Sequence, residues 1–186
     1  MRWELLFADL EAQLHAASQQ ELEQRVNELA RIEGARQTLG EAMRGSLGQT
    51  VQLVMRNGAA FHGTLAQVEC DWLLLREGAR SVILPLGQVQ RVHGLGTRRV
   101  QPPSSVPFTL ASALRILARN RAMVALELDG GRASALRGVL DQVGADFVQI
   151  MQLSDGVGRD SENRQGTAVV PFASLVAVAS SPENEF

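Results

Sequence analysis

The sequence predicts an α+β chain that is mainly β: an N-terminal helical region, then two tandem units, each a short helix followed by five short strands. Three observations predict it. Apolar residues at the start of the chain recur at spacings of three and four, the period of an amphipathic helix. Beyond residue 36 a series of residue matches occurs twice in the same order, which marks an internal repeat. Within each copy, Asn-Gly or Asp-Gly lies between short runs of β type, the pairs that favour tight hairpins.

In the helical region, residues 1–36, Trp3, Leu6, Phe7, Leu10 and Leu14 form one stripe, and Leu22, Val26 and Leu29 continue it after a polar interruption. At that interruption Ser18 precedes Glu21 by three residues, a capping-box pattern. Either a second helix starts there or one long helix changes its buried face. Gly34 ends the run. The outward residues, Glu4, Asp9, Glu11, Glu21, Glu23, Glu28 and Glu33 against Arg2, Arg25 and Arg31, make the segment acidic.

The repeat opens with Thr38-Leu39-Gly40-Glu41-Ala42-Met43-Arg44, echoed by Thr109-Leu110-Ala111-Ser112-Ala113-Leu114-Arg115; each starts a short helix, capped in the first copy by Thr38 with Glu41 and in the second by Pro107-Phe108-Thr109. Val51-Gln52-Leu53 recurs as Val124-Ala125-Leu126, and Gly63-Thr64-Leu65-Ala66-Gln67-Val68 as Gly138-Val139-Leu140-Asp141-Gln142-Val143. Trp72 aligns with Phe147. Val82-Ile83-Leu84-Pro85-Leu86, with Val89 and Val92, matches Ala168-Val169-Val170-Pro171-Phe172, with Leu175 and Val178. Asn57-Gly58 and Asp129-Gly130 predict two-residue hairpins. The expected strands of the first copy are Val51–Arg56, Ala59–Val68, Asp71–Arg76, Ser81–Pro85 and Val89–His93; those of the second are Met123–Leu128, Arg132–Val143, Asp146–Gln152, Thr167–Pro171 and Leu175–Ala179. Each proline ends a strand because it has no N–H to give the ladder. The units span residues 37–93 and 108–179, separated by a Gly/Pro/Ser linker, 94–107, and followed by a polar tail, 180–186.

A helix followed by five bent strands carrying Val-x-Leu-x-x-(Asn/Asp)-Gly and then Gly-x-Leu-x-x-Val resembles the Sm-like family of small β-barrels, which includes the Hfq-type RNA chaperones. Val51, Leu53, Gly58, Phe61, Gly63 and Leu65 match its first motif. The resemblance implies two tandem Sm-like, SH3-type five-stranded small barrels, and assembly through exposed edge strands. It does not extend to the family's RNA mode. Leu73 stands where the family has its base-contacting asparagine, and Pro85-Leu86 and Pro171-Phe172 stand where it has Arg-Gly or Lys-His. None of these side chains can hydrogen-bond a base or a phosphate.

The 186 residues are 45% hydrophobic, with 18 basic and 20 acidic side chains and a net charge of −2, a balance that suits folded domains and excludes disorder as the main state. No apolar run approaches the roughly 20 residues of a membrane span, and Met1-Arg2-Trp3-Glu4-Leu5 lacks the pattern of a secretory signal, so a cytoplasmic protein is expected. Cys70 is the single cysteine; with His15, His62 and His93 scattered, neither a disulfide nor a metal site is expected. Gly94-Leu95-Gly96 lacks the setting of a phosphate loop. With no catalytic constellation, an enzyme, a cofactor and a small-molecule substrate are not expected.

Two candidate surfaces remain. The stripe Trp3, Leu6, Phe7, Leu10 and Leu14 fits self-association or a protein partner, and equally fits packing on the chain's own strands. Every basic residue is arginine, and Arg98, Arg99, Arg115 and Arg119 form a basic group on the linker and second short helix. It would meet either RNA or DNA phosphates or the acidic helices. A non-enzymatic binding or scaffold protein, as a homo-oligomer or with a protein partner, is therefore the leading expectation. A nucleic-acid-binding regulator is its rival.

Overall fold

The computed structural model describes residues 2–102, 106–130, 135–153 and 164–180. Two compact units divide the chain, Met1–Thr38 and Leu39–Phe186. The first is a single helix, α1 (Arg2–Arg36). Its continuity settles the choice at the polar interruption, because the Ser18 hydroxyl donates back to the His15 carbonyl at 2.9 Å inside the helix. A serine with both neighbouring turns helical satisfies itself on a preceding carbonyl, and no chain break is needed.

In the second unit the elements are α2 (Leu39–Arg44), β1 (Thr50–Met55), β2 (Ala60–Val68), β3 (Trp72–Glu77), β4 (Arg80–Pro85), β5 (Val89–His93), α3 (Leu110–Arg119), β6 (Met123–Leu128), β7 (Ala135–Val143), β8 (Phe147–Leu153), β9 (Arg164–Pro171) and β10 (Leu175–Ser180). The strands make one open, antiparallel, ten-stranded sheet in the order β5-β1-β2-β3-β4-β10-β6-β7-β8-β9. Instead of two separate ladders there is one, since β4 hydrogen-bonds to β10 and joins the copies.

The register repeats residue for residue. Leu65 faces Leu75 and Gln67 faces Leu74 across a bulge in β2; Leu140 faces Ile150 and Gln142 faces Gln149 across the same bulge in β7. Leu53 faces Val92 in one copy and Leu126 faces Val178 in the other. A Cβ on Gly63 would collide with the Arg76 carbonyl oxygen, and one on Gly138 with that of Met151, so both glycines let the next strand's backbone close in. The motif arginines also share a role: Arg44 Nη2 donates to the Glu69 carbonyl at 3.5 Å, and Arg115 Nη2 to the Gly144 carbonyl at 2.9 Å.

One local expectation is corrected, and two connections are filled in. The Asn57-Gly58 hairpin has a three-residue loop, with Gly58 N–H donating to Met55 O, Met55 N–H to Ala59 O, and positive φ at Gly58 but not at Asn57. Asn57 Oδ1 instead accepts from Ala59 N–H at 3.0 Å, a side-chain turn that fixes it in the ordinary region. Each strand-ending proline leads into a single 3-10 turn, Leu86–Gln88 or Phe172–Ser174, before the last strand. The start of the linker is held against α2, with Gly96 N–H donating to the buried Ser46 hydroxyl and Val100 N–H to Glu41 O. Residues 131–134, which the expected Asp129-Gly130 hairpin and Arg132–Val143 strand include, and residues 154–163 and 181–186 lie outside the described residues.

Two apolar clusters form the core. Met43, Leu53, Leu65, Leu73, Leu75 and Leu84 pack with Val176, Ala177 and Ala179 of β10. Leu114, Leu126, Leu140, Val148, Ile150 and Val170 pack with Trp72 and Ile83 of the first copy. Each copy thus contributes side chains to the other's core.

Candidate functional site

The joint between the copies shows what a covered sheet edge looks like in this molecule. Across it Ile83 faces Val178 and Val82 faces Ala179. Trp72 lies at the start of β3, 3% exposed; its Nε1–H donates to the Phe108 carbonyl at 2.9 Å and its ring meets Phe108 edge to face, centroids 5.4 Å apart. Beside it, the Asp71 carboxylate accepts the Leu110 N–H at 3.0 and 3.2 Å, at the first turn of α3, where negative charge is favoured. Thr109 is the N-cap residue, accepting from Ser112 N–H at 3.3 Å as the sequence predicts. Gln88 Nε2 donates to Ala173 O at 2.6 Å, and Ser180 Oγ accepts from Ser81 N–H at 3.0 Å.

Among the described residues the sheet ends on two strands, β5 and β9, each paired on one side only. They differ in chemistry. On β5, Gln90, Arg91 and His93 are exposed. On β9, Val169 is 60% exposed, whereas Ile83, at the same register of β4, is 8% exposed under β10. Leu39 on α2 is likewise 46% exposed while its counterpart Leu110 on α3 is 5% exposed. The residues that the joint buries in one copy are open at the free end of the other.

The sequence-predicted residues fall as follows. Trp3, Leu6, Phe7, Leu10 and Leu14 are on α1, with their side chains outside the described residues; farther along, Leu22, Val26, Leu29 and Ile32 are exposed. Arg98 and Arg99 sit on the linker segment held at α2, and Arg115 and Arg119 are exposed on α3. Arg99 Nη1 donates to the Gly96 and Arg98 carbonyls at 2.8 and 3.0 Å. Cys70 is exposed. Its thiol donates to Asp71 Oδ1 at 3.4 Å, and partial desolvation, then that hydrogen bond and the carboxylate's charge, push its pKa up. Among the described residues no three His, Cys, Asp or Glu side chains cluster as metal ligands, and no helix is long and apolar enough to cross a membrane.

Comparison with protein-family models, curated proteins and solved structures gives no match. The site is therefore read from its own geometry.

Sequence reasoning missed the β9 edge. The signal was present: the repeat aligns Val169 with Ile83, and the last strands differ in pattern, Val-Gln-Arg-Val-His against Leu-Val-Ala-Val-Ala. A continuous apolar run marks a strand covered on both faces, and alternation marks one that is half exposed.

Proposed function

We propose that the protein is a non-enzymatic binding or scaffold protein that acts by self-association or through a protein partner, built as two tandem Sm-like small barrels. The barrel reading is supported by the strand order shared by the copies, β5-β1-β2-β3-β4 and β10-β6-β7-β8-β9, by the helix ahead of each, and by the close approach at Gly63 and Gly138. The observation that carries the function is the open β9 edge, where an apolar residue is exposed that the equivalent joint buries. Unpaired edges with little charge recruit further strands. Binding then rests on backbone pairing and apolar cover, which requires none of the family's base-reading side chains.

The test is light scattering after size exclusion on nuclease-treated protein, with the ratio of absorbance at 260 and 280 nm recorded before and after treatment. A nucleic-acid-free species heavier than the 20.1 kDa chain, insensitive to salt, is expected. A monomer at every concentration that also captures no protein partner refutes the reading. A nucleic-acid-rich peak that collapses with nuclease and high salt favours the second reading, an RNA- or DNA-binding regulator. That reading draws on the exposure of Arg98, Arg115 and Arg119, and replacing them with Arg99 by glutamine would then weaken binding and flatten its salt dependence.

A further inference from the structure

We infer that the occupant of the β9 edge is the β9 strand of a second copy, paired antiparallel about a two-fold axis. This rests on the self-association reading above and names the surface that performs it.

Strand β9 runs from Arg164 to Pro171 and, among the described residues, pairs only with β8, so one of its sides carries a row of backbone groups with no described strand against it. Its counterpart β4 has the same row closed by β10. The side chains follow suit: Val169 keeps the apolar character of Ile83 without its cover.

The other free edge is a poor partner. In β10 the positions that pack into the first core are Val176, Ala177 and Ala179; at the matching register of β5 stand Gln90, Arg91 and His93. A head-to-tail copy would bring a guanidinium and an imidazole to places built for alanine, which costs desolvation with no acidic residue of β9 to receive them. Short strands carrying charge are the usual protection of a sheet edge, and β5 is one. The β9 strand has no such protection near Val169, and a strand is antiparallel to its own copy across a perpendicular two-fold. Two chains joined in this way extend the antiparallel sheet without changing its pattern, and the interface closes on itself.

The experiment uses the full chain with Cys70→Ser as background and single cysteines placed in turn by Thr167→Cys, Ala168→Cys and Val169→Cys. Two-fold pairing centred on the exposed Val169 end of the strand brings one of these positions opposite itself or its neighbour at about 4.5–5.5 Å between Cα atoms, within disulfide reach. A covalent homodimer from one or more of them under mild oxidation is expected, together with a wild-type species of twice the 20.1 kDa chain mass that Val169→Arg weakens at least tenfold. Three results overturn the inference. Crosslinking only when Val169→Cys is mixed with Val92→Cys means head-to-tail assembly. An oligomer that survives Val169→Arg with no β9 crosslink means another surface, such as α1, and leaves self-association standing. A monomer that forms no crosslink removes both the β9 pairing and self-association.

Discussion

Replacing Trp72 tests whether the two copies form one cooperative structure. Trp72 belongs by sequence to the first copy and by packing to the second core, where it is 3% exposed. Truncating a buried Trp to Ala costs about 3–5 kcal/mol through lost transfer energy and the cavity that remains. Trp72→Phe keeps part of the edge-to-face contact with Phe108 but removes the 2.9 Å hydrogen bond to its carbonyl, a loss of about 1 kcal/mol, to which the smaller ring adds a fraction of the cavity cost. The expected order is therefore wild type, Trp72→Phe, Trp72→Ala, with the last about 4 kcal/mol below the first. Urea unfolding followed by circular dichroism measures it. Because the residue bridges the copies, both should unfold in one transition that moves as a whole. A double-mutant cycle with Phe108→Ala should return a coupling of about 0.5–1.5 kcal/mol. A shift of less than about 0.5 kcal/mol for Trp72→Ala, or two transitions of which only one moves, would refute the shared core.

Further outcomes follow from the same geometry. Asp71→Ala should cost about 1 kcal/mol and speed hydrogen exchange at the Leu110 amide, since the carboxylate is an acceptor for that N–H and a negative charge at the start of α3; unchanged exchange would show that Thr109 suffices alone. Gly63→Ala and Gly138→Ala should each lower stability by about 1–3 kcal/mol or more in thermal melts, because a Cβ meets backbone that cannot rotate away. Cys70, with its pKa raised, holds less thiolate at pH 8 than a free thiol. Its alkylation rate should lag glutathione's there and climb as pH rises through the shifted pKa, and Asp71→Asn should bring the profile back down; a profile unmoved by Asp71→Asn would leave desolvation and the Glu69 charge as the causes.

The sequence was most legible where side chain and backbone carry the same message. The Met123–Leu128 strand agrees at both ends, and Val89–His93 does too. The Thr109 cap was readable because one hydroxyl at the right offset satisfies an otherwise unpartnered N–H. Ser18 with Glu21 has the same spacing and caps nothing, since continuous helix on both sides outweighs a local motif worth about 1 kcal/mol. Asn57-Gly58 marked the hairpin but not its loop length, which was decided by the Asn57 side chain bonding to Ala59. The joint between β4 and β10 was hidden because it links residues nearly a hundred positions apart, and local pattern shows that a strand is covered without showing by what.

The repeat is thus a repeat of sequence and register without being a repeat of independent units. A chain ending at His93 would lose Val176, Ala177 and Ala179 from its core and would uncover Trp72 and Ile83. The same interlock explains why the two ends of the sheet are unlike. In the interior joint both partners are apolar, so neither edge needs protection there; at the β5 end, Gln90, Arg91 and His93 replace the core-filling residues and water can solvate the edge. At the β9 end no such replacement has occurred at Val169, although an arginine or glutamate at that exposed position would fit without strain. An apolar residue kept at an open edge, beside a partner edge that is visibly protected, is the asymmetry expected if one end stops the sheet and the other continues it.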